Sequence, residues 1–226
     1  MKFIFALIVV LSSFVFAFGQ GNEQSPIVEK DIVYKDWVYK NVVTEKDTNL
    51  RKFTFGKKLV MVVYFAPWCN NWKHDLPMVQ KFYDKYRDAG FDVIAVGEYD
   101  PVDSMKKHIE QYKLTFPIVW ESDARTAKQT TSHYEYRRST GDTRNWGSPW
   151  YIFLEVGKLE PNGMLLTKRT SIVNGELIEP EAEKFIRAKL GLTVASETKL
   201  SSQNAVEVCD PAKPSPSALV KPAAKP

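Results

Sequence analysis

Cysteine is scarce in this chain of 226 residues. Only Cys69 and Cys209 occur, too few for a scaffold held by disulfides. Histidine is almost as rare: His74, His108 and His133 lack the paired spacing of a metal-binding motif, so no metal site and no cofactor are expected. A glycine-rich phosphate loop, a dinucleotide fingerprint and a Ser/His/Asp order are all missing, which removes the common nucleotide and hydrolase chemistries. The net charge of +4 is spread along the chain, without the cationic run of a nucleic-acid arm, so no nucleic-acid partner is expected.

What is present begins with an apolar amino terminus. Residues 1–19 read as a secretory signal: Lys2 is a thin positive flank, Phe3 to Phe16 is almost wholly apolar, and Ala17-Phe18-Gly19 offers small residues for cleavage. The stretch is shorter than the roughly 20 residues a spanning helix needs, so membrane contact is expected only if the signal is retained. Export to the periplasm or the extracellular space implies an oxidising compartment. Residues 20–30 form a polar leader, 31–192 a folded domain, and 193–226 a tail rich in Ser, Ala, Pro and Lys. Such a tail has too little apolar surface to offset the entropy of ordering.

Within the domain, hydrophobic periodicity gives most of the elements. Short β-leaning pieces, Ile32 to Tyr34 and Trp37 to Val43, precede Leu59 to Phe65, a continuous apolar run that fits a strand covered on both faces. A helix over 70–89 follows, stopped by Gly90, with Pro77 expected to kink it. Phe91 to Val96 is a strand, Asp103 to Tyr112 a short helix, and Phe116 to Trp120 an extended segment. Residues 122–147 read as polar and irregular. Trp150 to Val156 and Met164 to Thr170 are strands around a Pro161-Asn162-Gly163 turn, and Glu179 to Leu190 closes the domain as a helix. This order predicts an α/β sandwich with a mixed central sheet.

The chemistry is expected at Cys69. The segment Tyr64-Phe65-Ala66-Pro67-Trp68-Cys69 delivers a lone sulfur to a turn between a strand and a helix, where backbone N–H groups favour a thiolate. Thiol–disulfide exchange passes through a mixed disulfide that a second thiolate must attack. Cys209 is a candidate for that role. The tail between residue 192 and Cys209 has an r.m.s. span on the order of 20–25 Å, about the radius of such a domain.

The stretch from Val62 to Pro77 resembles the active-site segment of the thioredoxin fold, and especially the exported TlpA/ResA-type thiol–disulfide oxidoreductases. Trp68 and Cys69 match the start of that family's Trp-Cys-x-x-Cys motif, and Pro77 stands eight residues after the cysteine. Phe116-Pro117 resembles the family's Phe-Pro, and Gly147-Ser148-Pro149-Trp150 its Gly-x-Pro signature, whose proline is cis and faces the sulfur. The likeness covers roughly residues 31–191. It implies a three-layer sandwich with helices on both faces of the sheet, protein disulfide or thiol substrates, and an upstream redox partner. It also implies peptide contacts at Trp68, Trp72, Ser148, Pro149 and Trp150, and Glu98 as a proton acceptor.

Departures from the family pattern are as informative. Trp72 stands where the second cysteine belongs, and Val63 where thioredoxins proper bury an aspartate. The expected activity is therefore thiol–disulfide exchange through one nucleophilic cysteine, of reductase or isomerase type. A peptide-binding module without turnover is the alternative. A peroxidase is a weaker one, because Ala66 occupies the place of the threonine or serine that peroxiredoxins carry three residues before their cysteine.

Overall fold

The computed structural model describes residues 23–192. Residues 1–22 and 193–226, which include the expected signal, the expected tail and Cys209, lie outside the described residues. Eight strands form one mixed sheet in the order β1-β8-β7-β4-β5-β6-β2-β3. They are β1 (Val28–Lys35), β2 (Val38–Asn41), β3 (Asp47–Asn49), β4 (Leu59–Phe65), β5 (Phe91–Gly97), β6 (Ile118–Trp120), β7 (Trp150–Glu155) and β8 (Leu165–Val173). The helices are α1 (Leu50–Thr54), α2 (Asn70–Tyr86), α3 (Val102–Tyr112), α4 (Ser132–Ser139) and α5 (Glu179–Leu190). The expected α/β sandwich with a mixed sheet is what the chain adopts.

β4 sits in the middle because every one of its seven residues is apolar or aromatic and fully buried. It runs parallel to β5 and antiparallel to β7. Its alternate side chains divide between two layers, as the period of a strand requires. Val60, Val62 and Tyr64 join a cluster with Leu50 of α1 and Tyr136 of α4. On the other face Phe65 packs on Trp72 of α2, while Phe153 of neighbouring β7 packs on Phe185 of α5.

Three details differ from the sequence reading. β1 begins at Val28, and Ser25 N–H donates to the Glu176 carbonyl, so the folded part starts before residue 31. This edge strand exposes Glu29, Lys30 and Asp31, and its polarity hides its pairing with β8. α2 ends at Tyr86 and not at Ala89, with the exposed Pro77 inside it, and a 3-10 turn carries the chain on to Gly90 at φ 100°. Residues 122–147, read as irregular, contain a 3-10 turn (Arg125–Thr130) and α4.

α4 places Tyr136 in the core cluster, and side chains close its start. The Thr131 hydroxyl accepts from Tyr134 N–H, and the Glu121 carboxylate accepts from Ser132 and His133 N–H. Those bonds satisfy donors that every helix start leaves open.

Candidate active site

The end of β4 and the start of α2 present Cys69. The turn closes with Cys69 N–H donating to the Ala66 carbonyl at 2.9 Å, and the Cys69 carbonyl accepts from Lys73 N–H at 3.1 Å. Cys69 is the cap residue of α2 in extended conformation, so its side chain leaves the helix axis and is partly exposed. Its thiol is free and donates to the Ser148 carbonyl at 3.2 Å. Ser148 holds the other side of the turn as well, because its hydroxyl accepts from Ala66 N–H at 3.0 Å. The Ser148–Pro149 peptide is cis.

The Ser148 carbonyl is fixed by a frame that sequence reasoning missed. Gly147 has φ 63°, and a Cβ there would come within 2.7 Å of the buried Arg137 Nε, so no other residue fits. Arg137 donates to the Arg144 and Asn145 carbonyls at 2.7 and 3.1 Å. Arg144 pairs with Asp142 and donates to the Pro149 carbonyl at 2.8 Å. Two guanidinium groups thus fasten the loop that faces the sulfur. The only sequence signal was the density of arginine between residues 137 and 144.

His133 completes the frame from α4. It is fully buried, stacked on Tyr64 with ring centroids 5.0 Å apart, and its Nε2 lies 3.2 Å from the Gly147 carbonyl. A carbonyl only accepts, so Nε2 carries the proton and Nδ1 accepts from Tyr99 OH at 2.8 Å. Burial, reinforced by the Arg137 charge, holds its pKa well below the usual histidine value, and the ring is neutral.

Of the residues expected to contact a partner, Trp68 is half-buried, and Ser148 and Pro149 are buried. Trp68 meets Trp146 edge-on, with ring centroids 5.2 Å apart. The Arg125 guanidinium lies 4.8 Å from the Trp68 ring and Lys128 Nζ the same distance from Trp146. Trp72 and Trp150 are both fully buried, which corrects the expectation that they line a groove. Trp72 fills the space beneath the turn and donates from Nε1 to His108 Nε2 at 2.9 Å. Trp150 donates from Nε1 to Asn174 Oδ1 at 2.7 Å.

Glu98 also needs correction. It is completely buried; its Oε2 accepts from Ser122 at 2.5 Å, and its Oε1 has no partner. Burial, then the nearby Glu121, pushes its pKa well above the ordinary carboxylate value. Its side-chain hydrogen bond goes to Ser122 and not to Cys69, so the fold does not bring it to the thiol as the acceptor the sequence suggested.

Residues 34–145 match the model of the AhpC/TSA family. The thiol-disulfide oxidoreductase ResA of Oceanobacillus iheyensis is 26% identical over 122 residues, which cover 52% of this chain and 64% of that protein. The curated relative is thus matched over less than two thirds of its length. Among solved structures, a putative thiol:disulfide interchange protein DsbE from Chlorobium tepidum superimposes with a TM-score of 0.50 at 19% identity. That match covers 73% of this chain and 99% of the other. A secreted thiol-disulfide isomerase from Corynebacterium glutamicum gives 0.51 at 15% identity, covering 79% and 98%. These two likenesses speak to fold alone.

Proposed function

Because the chain has a thioredoxin fold and resembles the ResA/TlpA-type thiol–disulfide oxidoreductases, we propose that it is an exported protein acting in thiol–disulfide exchange through a single nucleophile, Cys69. In this reading residues 1–19 are the export signal, 193–226 a tail carrying Cys209, and the domain between them does the chemistry. The observation that carries it is the partly exposed, unpaired thiol at the head of α2, 3.2 Å from the Ser148 carbonyl.

The Cys69 thiolate attacks one sulfur of a substrate disulfide. The substrate S–S bond breaks as the Cys69–substrate bond forms, and the departing substrate thiolate takes up a proton from solvent. On thiolate formation the Ser148 carbonyl loses its donor and becomes free to accept from an extended peptide. Trp68, half-buried, supplies the side-chain contact, and the buried Ser148 and Pro149 act by holding the backbone beside the sulfur. Trp72 brings no sulfur, so release falls to the substrate's own second thiol, to a small external thiol or to Cys209. Reductase and isomerase chemistry differ only in which of these attacks.

The test is trapping. Full-length protein should form mixed disulfides with proteins of the compartment to which it is exported, and Cys69→Ser should form none. Equal adduct yields from both would refute the reading. The alternative of a binding module draws support from Trp72, which fills the place of the resolving cysteine. It requires peptide affinity that survives in Cys69→Ala without any exchange activity in the wild type.

A further inference from the structure

His74 and Asp75, one turn beyond Cys69 on α2, meet Glu176 from the turn that follows β8. Asp75 is completely buried, and its Oδ2 is committed, accepting from Tyr151 OH at 2.7 Å and Leu177 N–H at 2.8 Å. Its Oδ1 has no hydrogen-bond partner. Glu176 is 3% exposed, and its Oε2 is equally unpartnered. Both orphaned oxygens face one atom, His74 Nδ1, at 3.6 and 3.4 Å, and the three ligand atoms lie within 4.8 Å of one another.

These spacings are long for charge-assisted hydrogen bonds, which run about 2.7–2.9 Å. They suit ligands around a shared ion. Metal–ligand bonds of about 2.0–2.2 Å at tetrahedral angles put neighbouring ligand atoms roughly 3.3–3.6 Å apart. Two buried carboxylates with idle lone pairs are costly unless a proton or a cation neutralises them. The neighbouring fixed cations are engaged elsewhere: Arg144 with Asp142 and Glu23, and Lys81 with Glu179. His74 is largely exposed and lines a cleft of about 360 Å³ with Gln24, Pro77, Met78 and Lys81, so the trio meets solvent on its imidazole side while the two carboxylates lie behind it.

We propose that His74 Nδ1, Asp75 Oδ1 and Glu176 Oε2 bind one divalent cation of borderline hardness, with Zn²⁺ as the type and the remaining coordination open to the cleft. One imidazole and two carboxylates suit such an ion better than Cu(I), which seeks thiolates and thioethers. The ion ties α2 to the turn between β8 and α5. Sequence spacing, which suggested no metal site, was blind to it because Glu176 comes from a distant turn.

The experiment uses the full chain carrying Cys69→Ser and Cys209→Ser, so that no thiolate competes for metal. Equilibrium dialysis with Zn²⁺ should give one ion per chain, and Zn²⁺ should raise the melting temperature. Co²⁺ should give visible ligand-field bands without a sulfur charge-transfer band. His74→Ala, at an exposed side chain, and Glu176→Gln should each weaken uptake by on the order of tenfold or more and abolish the thermal shift. No stoichiometric uptake by the parent would overturn the proposal, leaving a proton as the occupant. Uptake unchanged in both variants would overturn it too, by locating the ion elsewhere. Because the protein tested has no thiol, the outcome is independent of the exchange chemistry proposed for Cys69.

Discussion

Trp72 is a packing residue: its indole fills buried volume against Phe65 and donates to His108. Trp72→Ala should therefore cost about 3–5 kcal/mol of stability, as large-to-small core changes do; urea denaturation measures it. Its partner His108 has its pKa lowered from 6.5 to about 4, by burial first and then by the Lys73 charge. The unfolded chain binds a proton on this ring from about pH 6.5 downward, and the folded chain only from about pH 4. His108 thus contributes fully to stability above pH 6.5, and that contribution is lost on acidification towards pH 4. About 2.5 pH units at 1.36 kcal/mol each put the loss at roughly 3 kcal/mol. His108→Gln keeps an acceptor for Trp72, so the stability difference between wild type and variant should shrink by that order between pH 7 and pH 4. A pH-independent difference would show that the ring is not the titrating group. Cys69 and the Gly147-Ser148-Pro149 run were legible as a pair in the sequence. The burial of Trp72 and Trp150 was not, because an indole beside a reactive turn reads the same whether it faces solvent or core.

Among the elements, those with strong apolar periodicity were readable to the residue: β4 over Leu59–Phe65 and α5 over Glu179–Leu190 coincide with expectation. α4 escaped because its single core side chain, Tyr136, gives no apolar period, and because Thr131 caps it with help from Glu121, a residue outside the helix whose bonds only tertiary structure creates. The same holds for the loop fastened by Arg137. Removing that side chain in Arg137→Ala strips donors from the Arg144 and Asn145 carbonyls. Leaving a buried acceptor unpaired costs about 1–3 kcal/mol, so a loss of about 2 kcal/mol or more is expected in urea denaturation. The rate of Cys69 alkylation should change as well, since Ser148 accepts from its thiol. A variant with wild-type stability and alkylation rate would show that the guanidinium does not hold the loop.

At the scale of the molecule, the mixed sheet follows from where apolar runs alternate with helices, and this much the sequence carried. Its edges did not show in the same way. β1 buries Ile32 and Tyr34 against the core while presenting charge outward, and it covers the open side of β8. A chain begun at residue 36 should melt at a markedly lower temperature and aggregate through the uncovered β8 edge. Thermal unfolding and light scattering check this, and an unaltered melting temperature would contradict it. No described helix is long and apolar enough to cross a membrane. The proposed exchange chemistry rests on one thiol in the domain, Cys69. The most direct measurement is the rate of exchange between the full-length protein and a peptide disulfide, followed by intact mass and compared with Cys69→Ser and Cys209→Ser. The account predicts a peptide adduct on Cys69, turnover when the peptide offers a second thiol, and neither in Cys69→Ser; exchange by Cys69→Ser at the wild-type rate would contradict it.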